Sequence, residues 1–145
     1  TLWKFRTMHV NASTSVHQRH FANLINTDTP MKKLDEKKDN RIIPLGYFIR
    51  KSGFDELPQI FNVLKGEMSL VGPRPCLPYE AEQYQSWHRK RFLAVPGLTG
   101  LWQVNGKNKT TFKEMIQLDL TYLENISFWN DMKILLKTIP ALMKQ

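Results

Sequence analysis

The chain has 145 residues and a mass of 17.0 kDa, the size of one domain, and its 41% apolar and 23% charged residues argue against wholesale disorder. A single cysteine excludes an internal disulfide framework and any cysteine-rich zinc site. No apolar run approaches the roughly 18 residues of a membrane-spanning helix, and residues 1–6 do not resemble a signal peptide. Because the chain lacks an initiator methionine, we interpret its start as a cut inside a longer protein.

The net charge of +8 predicts an anionic partner, which can be nucleic acid, a lipid surface or a phosphorylated small molecule. Six basic residues and no acidic residue lie between Gln83 and Lys113: Arg89, Lys90, Arg91, Lys107, Lys109 and Lys113. On charge alone, a local anion site and a solvated basic face explain this segment equally well.

The first 40 residues contain two predicted elements and one predicted loop. Apolar alternation over residues 1–8 predicts a short strand, and residues 13–26 have the apolar spacing of a short helix. Residues 26–40 are polar and charged, which predicts an exposed, mobile loop.

Residues 57–64 show the clearest helical periodicity in the first half of the chain. Leu57, Ile60, Phe61 and Leu64 follow an i, i+3, i+4, i+7 spacing, which predicts a helix that buries this apolar face. Gly66 is expected to end the helix.

The second half of the chain is predicted to be helical between tight loops. Residues 78–92 suggest one helix, and residues 101–104 a short strand after the loop at 96–100. A capping box from Thr111 to Glu114 should begin another helix, and Asn130 should cap the last one. The predicted fold is therefore α+β, mostly helical with a few short strands, in a single compact domain with long functional loops that covers residues 1–145.

Asp55 and Glu56 are the first candidates for chemistry. Adjacent carboxylates repel each other unless a cation or metal offsets them, and a helix N-terminus favours the ionised form that a nucleophile or metal ligand requires. The alternative is structural, because Asp is a common N-cap and Glu is common in the first turn.

Arg74 lies between Pro73 and Pro75 in a rigid turn, so its guanidinium would lose little entropy on gripping a phosphate. A rigid surface turn with a solvated arginine is the alternative.

The glycine loop at 96–100 and the segment that follows offer backbone N–H groups and the polar side chains of Gln103, Asn105 and Lys107 to an anion. Neither a P-loop nor a dinucleotide-binding spacing is present, and loops without a ligand remain the alternative.

Lys4 and Arg6 would point to the same side of the predicted first strand, as a small phosphate clamp or as a charged edge. The four histidines, His9, His17, His20 and His88, have no metal-ligand spacing. Taken together, one acidic pair and several cations among tight loops suit phosphoryl or phosphosugar transfer.

These motifs closely resemble those of the bacterial sugar transferases, the monotopic polyprenyl-phosphate phosphoglycosyl transferases. The segments that carry the resemblance span nearly the whole chain, in order: residues 4–8, 50–59, 62–75, 96–100, 103–106 and 122–131. The resemblance implies that a sugar-1-phosphate passes from a UDP-sugar to a membrane polyprenyl (undecaprenyl) phosphate, through a covalent aspartyl-phosphosugar and with ping-pong kinetics. Such a reaction initiates exopolysaccharide, O-antigen or glycoconjugate synthesis.

The resemblance also implies roles for individual residues. Asp55 would be the nucleophile, Glu56 the ligand of an Mg²⁺ cofactor, and Arg74 a phosphate-binding residue with Arg50 close by. Further phosphate contacts would come from Lys4, Arg6 and Arg41, and the nucleotide-sugar site would be lined by Gln103, Asn105 and Lys107.

The family carries a hydrophobic helix upstream of its first motif, and this chain does not include it, so we expect an N-terminally truncated catalytic domain. The implied location is the cytoplasmic face of the bacterial inner membrane, with a UDP-sugar, polyprenyl phosphate and the membrane surface as partners and no nucleic acid. Two alternatives remain: a basic nucleic-acid-binding module, for which no recognition motif is present, and an inactive remnant that docks on membranes.

Overall fold

The computed structural model describes residues 1–27, 29–31 and 39–143, the side chain of Met143 excepted, and these residues form one mostly helical α+β domain. The α-helices of the described residues are α1 (Ser15–Asn26), α2 (Gly46–Ser52), α3 (Ile60–Leu64), α4 (Pro78–Glu82), α5 (Ser86–Arg89), α6 (Leu101–Gly106), α7 (Phe112–Glu124) and α8 (Phe128–Met143). Two 3₁₀ helices, Phe54–Gln59 and Lys90–Leu93, and two strands, β1 (Ser69–Val71) and β2 (Gly97–Thr99), complete the fold. The predicted fold class is confirmed.

The two strands pair in parallel, with Ser69 opposite Gly97 and Val71 opposite Thr99. The two strands approach each other so closely that a Cβ at Gly97 would overlap the backbone nitrogen of Gly72, so only glycine fits there. The sequence interpretation was wrong here: β2 lies inside the predicted loop at 96–100, and the predicted strand at 101–104 is helix α6. A short apolar run fits either element, and the pairing partner of β2 lies 28 residues away in the chain.

The predicted strand at residues 1–8 is also wrong. The segment is extended, but its backbone bonds to side chains and loops rather than to a ladder: Trp3 N–H donates to Asn62 Oδ1 (3.0 Å) and Phe5 N–H to the Asp55 carbonyl (2.9 Å). One isolated antiparallel bridge joins Met8 to Ile42. Residues 1–6 are exposed and Thr7 is buried, so the apolar alternation of this segment does not correspond to a buried face.

Two apolar clusters hold the domain together, and α7 contributes to both. The first consists of Phe21, Tyr84, Trp102, Phe112, Met115 and Ile116, and the second of Val71, Tyr122 and Ile134. The predicted capping box of α7 is confirmed, because Thr111 Oγ1 accepts from Glu114 N–H (3.2 Å) and Glu114 Oε2 accepts from Thr111 N–H (2.7 Å).

The other predicted helices are confirmed in part. Helix α1 begins two residues later than predicted, and residues 78–92 form three short helices instead of one. Helix α8 begins at Phe128 rather than after Asn130, because Ser127 Oγ accepts the Asn130 N–H (3.2 Å). The predicted loop at 26–40 lies partly outside the described residues, at positions 28 and 32–38.

Residues 54–64 form a helical segment with the opposite burial from the one predicted. Asp55, Gln59 and Asn62 are 4%, 6% and 0% exposed. The four periodic residues are exposed by 46–78%: Leu57, Ile60, Phe61 and Leu64. The helical periodicity and the end at Gly66 (φ 74°) are confirmed, but the predicted burial of this face, which we call the apolar ridge, is wrong. The polar face is buried because Asn62 bonds to the N-terminal segment, where Thr1 O accepts from its Nδ2 (2.7 Å).

Candidate active site

A cleft of about 370 Å³ opens between the N-terminal segment, α1, α6, α8 and the 3₁₀ helix Phe54–Gln59. Eight of the ten predicted site residues line it: Lys4, Arg41, Arg50, Asp55, Glu56, Arg74, Gln103 and Lys107. The other two, Arg6 and Asn105, are exposed and do not line the cleft. The predicted strand that would carry Arg6 does not form, and Asn105, which follows the predicted strand at 101–104, lies in helix α6. Substrate binding by these two residues stays a prediction.

Asp55 lies in the first turn of the 3₁₀ helix and faces the cleft while remaining 4% exposed. Gly53, at φ 75°, ends α2 in the left-handed region that glycine favours and turns the chain into the 3₁₀ helix. The cap position therefore belongs to Gly53. The Asp55 carboxylate instead pairs with Lys4, at 3.0 Å between Oδ2 and Nζ. Capping does not explain this aspartate.

Glu56 shares the same lysine, with Oε1 3.1 Å from Lys4 Nζ. Burial pushes the pKa of its carboxyl upward, but the charges of Lys4, Lys107 and Arg74 outweigh burial, so the pKa lies below its ordinary value. The side chain is 44% exposed and reaches the cleft. Both carboxylates are thus directed at one point that carries positive charge.

The position between the two carboxylates can be tested for its fit to Mg²⁺. Mg²⁺ prefers oxygen ligands and usually takes one or two carboxylates together with substrate phosphates. Asp55 and Glu56 place two carboxylate oxygens within about 3 Å of one cationic atom, so the donor set fits. Among the described residues, no group of three or more His, Cys, Asp or Glu side chains converges on a metal position. The remaining ligands of such an ion would have to come from the substrate and water.

Arg74 supplies a cation from the turn after β1. Its side chain is 36% exposed, with NH1 3.8 Å from Glu80 Oε2, and it lines the cleft. Its backbone carbonyl accepts a 2.6 Å hydrogen bond from Arg91, which is 1% exposed and ion-paired with buried Asp119. Arg91 and Asp119 therefore position the turn that carries Arg74, a role that the sequence did not indicate.

Arg41 and Arg50 line the same cleft but already make contacts. Arg41 grips Asp39 with two nitrogens, Nε to Oδ1 at 2.9 Å and NH2 to Oδ2 at 2.6 Å, and these hydrogen bonds lower the pKa of Asp39. Arg50 NH1 donates to Thr7 Oγ1 at 3.3 Å. The cleft thus gathers fixed positive charge around a pair of carboxylates.

Comparison with known proteins decides the family. The family model described as bacterial sugar transferase matches residues 1–145. This chain belongs to the bacterial sugar transferase family. It is 44% identical over 147 residues to a UDP-galactose-lipid carrier transferase of Erwinia amylovora, which covers 98% of the chain and 30% of the relative.

Two further relatives of this sugar transferase domain are proteins named for transfer to undecaprenyl phosphate. It is 41% identical over 143 residues to the undecaprenyl-phosphate galactose phosphotransferase of Salmonella typhimurium, covering 99% of the chain and 30% of the relative. It is 39% identical over 124 residues to the UDP-glucose:undecaprenyl-phosphate glucose-1-phosphate transferase of Caulobacter vibrioides, covering 80% and 46%. The chain therefore spans less than half the length of these three relatives.

The sugar transferase cleft also contains residues that sequence reasoning missed. His17 and His20 lie three residues apart on α1 and line the cleft together, although their spacing matches no metal-binding pattern. The Tyr79 hydroxyl lies 2.7 Å from His17 Nδ1. Burial lowers the pKa of His17, Glu80 opposes that shift, and Arg74 adds to it. The neutral imidazole is therefore favoured at pH 7.

Glu80 and Asn108 were missed for a different reason. Glu80 is 0% exposed and Asn108 is partly buried, and both line the cleft. Neither residue belongs to a motif with chemical meaning, and only the packing of α4 and of the loop after α6 brings them to the cleft. No sequence signal indicated either residue.

The apolar ridge meets the cleft at Leu57, which belongs to both. Arg50, Lys51 and Lys65 lie on or next to the same part of the chain, and Lys65 Nζ lies 5.4 Å from the centre of the Trp3 ring. No helix of the described residues is both long enough and apolar enough to cross a bilayer. An exposed apolar surface with basic neighbours thus borders the acidic pair.

Proposed function

We propose that this domain transfers a sugar-1-phosphate from a UDP-sugar to a polyprenyl phosphate through a covalent phosphosugar on Asp55. The observation that carries the proposal is the buried Asp55 carboxylate, 3.0 Å from Lys4 and facing a cleft lined by further cations. The names of the relatives add support, since they describe transfer of sugars or sugar phosphates to lipid carriers or undecaprenyl phosphate.

In the first step an Asp55 oxygen attacks the sugar-bearing phosphorus of the UDP-sugar. The P–O bond to the bridging oxygen breaks, and that oxygen leaves with UMP. In the second step an oxygen of the polyprenyl phosphate attacks the same phosphorus, and the Asp55 carboxylate is released. The products are UMP and a polyprenyl diphosphate that carries the sugar, and the carboxylate is regenerated.

The cations make this attack feasible. A carboxylate and a diphosphate repel each other until positive charge neutralises the phosphates. Lys4 Nζ lies 3.0 Å from Asp55 Oδ2, where it can transfer its contact to an incoming phosphate. Arg74 and Lys107, which both lower the pKa of Glu56, lie close enough to the acidic pair to stabilise charge on the same phosphates.

Glu56 is the proposed ligand of Mg²⁺, with substrate phosphate oxygens completing the coordination. When bound, the ion would act as a Lewis acid that withdraws charge from the phosphates. Glu56 suits this role because its lowered pKa keeps it ionised and its side chain remains partly open to the cleft.

The apolar ridge is the proposed path of the lipid substrate and the contact with the membrane surface, on the cytoplasmic face where UDP-sugars are made. Leu57 belongs to both ridge and cleft, so a phosphate at a lipid headgroup can reach Asp55 while its chain stays among apolar side chains. Arg50, Lys51 and Lys65 add charge of the sign that anionic lipids attract.

The test is intact-mass measurement of the protein incubated with Mg²⁺ and single UDP-sugars, without lipid. We expect a mass increment of one sugar phosphate together with release of UMP, lost in Asp55→Asn and retained in the matched control Asp131→Asn. Asp131 bonds to the Tyr122 hydroxyl and does not line the cleft.

Two outcomes would contradict the proposal. Vesicle binding without any adduct or UMP release would favour an inactive docking module. Salt-sensitive binding of arbitrary oligonucleotides, again without UMP release, would favour a nucleic-acid-binding module.

A further inference from the structure

The cleft contains buried hydrogen-bond acceptors as well as cations. Within the part of the chain that the structure describes, three buried side-chain oxygens in the cleft lining have no hydrogen-bond partner: Glu80 Oε1, Gln103 Oε1 and Asn108 Oδ1. Buried polar atoms are nearly always paired, so each such exception needs a physical reason. All three lie in one cleft and all three accept, so they call for a ligand that donates several hydrogen bonds.

Phosphates cannot be that donor. The oxygens of an ionised diphosphate only accept, and the cations around Asp55 already suit them. Hydroxyl groups donate, and a sugar carries several of them. The cleft is thus built for the two halves of one molecule, with cations for its phosphates and acceptors for its hydroxyls.

Glu80 is the strongest of the three acceptors, because it is a carboxylate and its side chain is only 1% exposed. Its structural contacts all use the other oxygen: Oε2 accepts the Leu77 N–H at 2.9 Å and lies 3.8 Å from Arg74 NH1. Oε1 is left without a partner among the described residues. A buried carboxylate oxygen without a donor is costly, so the folded chain bears this cost for something other than the contacts of Oε2.

Glu114 shows that helix capping does not require this burial. Glu114 occupies the same position of its helix, and its Oε2 accepts the Thr111 N–H at 2.7 Å just as Glu80 Oε2 accepts Leu77 N–H. Its side chain is exposed, so water can satisfy the second oxygen. The two glutamates cap their helices in the same way, and only Glu80 also presents an oxygen to the cleft.

We propose that Glu80 is a specificity-determining residue: its Oε1 accepts a hydrogen bond from a hydroxyl group of the phosphorylated sugar that the cations hold. Gln103 and Asn108 provide two further acceptors for the same molecule. The inference rests on the proposed function for its ligand, a UDP-sugar. That ligand has two sources of hydroxyls, the transferred hexose and the ribose of the nucleotide.

The test combines a protein change with a ligand change. The intact protein, purified in detergent and carrying Asp55→Asn so that the ligand is not consumed, is titrated calorimetrically with UDP-glucose, UDP-galactose and UDP-N-acetylglucosamine. Whichever binds is then replaced by analogues that lack one hydroxyl each, on the hexose or on the ribose. The series is repeated with Glu80→Gln, which keeps the size of the side chain, and with Glu114→Gln as the matched control.

We expect one analogue to bind about tenfold more weakly than its parent, as loss of a hydrogen bond to a charged group implies. Glu80→Gln should weaken the parent by a similar factor and show no further loss with that analogue, while Glu114→Gln behaves as the unmodified protein. The position of the missing hydroxyl then tells whether Glu80 reads the hexose or the ribose.

The proposal fails if Glu80→Gln weakens every analogue by the same factor, since that result describes a structural residue. It also fails if no deoxy analogue binds more weakly than its parent, or if no UDP-sugar binds at all. These two results do not depend on whether the Glu80 variant folds. UMP release by protein with Asp55 intact is measured separately. If Glu80→Gln and the loss of one hydroxyl have non-additive effects on binding but no UMP is released, this inference stands and the proposed catalysis is overturned.

Discussion

Helix α7 and the segment 54–64 have similar apolar periodicity but opposite burial. In α7 the apolar positions Met115 and Ile116 are 0% exposed and join the core, as amphipathic helices of globular domains usually do. In residues 54–64 the polar face is buried and the apolar ridge points outward. Periodicity therefore shows that a helix has two faces, but the identity of the neighbouring surface decides which face is buried.

The reason for the difference lies in what each helix packs against. Helix α7 packs against aromatic residues of the first apolar cluster, so its apolar side chains lose contact with water. The segment 54–64 packs against the N-terminal segment through hydrogen bonds and the Lys4 ion pairs. Polar contacts of that kind need Asp55 and Asn62 inside, and they leave the ridge for another apolar surface.

The largest expected effect comes from a matched pair of isoleucines. Ile116→Ala, at a site that is 0% exposed, should lower the free energy of unfolding by about 2–5 kcal/mol through lost burial and a cavity. Ile60→Ala, at 46% exposure on the ridge, should change it by less than about 1 kcal/mol and weaken binding to anionic vesicles roughly two- to tenfold. Urea denaturation and vesicle sedimentation provide the two measurements.

Equal destabilisation by the two isoleucine changes would contradict the comparison, because it would place the ridge in a core. Unchanged vesicle binding in Ile60→Ala would remove the ridge from the proposed membrane contact.

The sequence predicted the candidate site better than it predicted the fold around it. Asp55, Glu56 and Arg74 were singled out from short motifs of neighbouring residues, and the structure gathers them in one cleft. The predicted strand that would carry Arg6 does not form, Asn105 lies in helix α6 just after a predicted strand that is also helical, and both residues lie outside the cleft.

What the sequence could not supply was long-range packing. Glu80 reaches the cleft because α4 packs against α1, and Arg91 reaches the Arg74 carbonyl across 17 residues of chain. The parallel pairing of β1 with β2 is equally non-local. Local propensity and spacing carry no information about such contacts.

A second effect separates two carboxyl groups, the buried Asp119 of α7 and the partly exposed Glu56 of segment 54–64. Burial raises the pKa of Asp119 to about 6, although Arg91 opposes the shift, whereas cationic neighbours lower the pKa of Glu56 against its burial. A raised carboxyl pKa means that the folded state binds the proton more tightly than the unfolded state. Asp119 therefore costs stability as the pH rises from about 4 to about 6, by up to about 3 kcal/mol.

Glu56 has the opposite sign, since its stabilising contribution is present above its ordinary pKa and is lost as the pH falls through the lowered value. Urea titrations that run from pH 7 down into the acid range below the ordinary carboxyl pKa measure both. Asp119→Asn should remove the decline between pH 4 and 6, because the neutral amide does not titrate. An unchanged pH profile in Asp119→Asn would mean that another group causes the decline.

The smallest effect concerns the buried polar face of segment 54–64. Asn62 is 0% exposed and joins the N-terminal segment on both sides of its amide, accepting from Trp3 N–H (3.0 Å) and donating to Thr1 O (2.7 Å). Asn62→Ala should cost about 1–3 kcal/mol, because the buried amide and its two hydrogen bonds to the N-terminal backbone are lost. Asn23→Ala is the matched control, since Asn23 also lies within a helix but is exposed, and the change in helix propensity is the same for both.

The Asn62 contacts also bear on the site, because they hold residues 1–3 and so help to place Lys4 between Asp55 and Glu56. In Asn62→Ala the looser segment should hold Lys4 less firmly beside Glu56. The pKa of Glu56 should then rise toward its ordinary value. Carboxyl chemical shifts followed by NMR across the acid range measure the change. If stability falls but the pKa of Glu56 stays low, the N-terminal segment keeps Lys4 in place without Asn62, and the buried polar face stabilises the fold without organising the site.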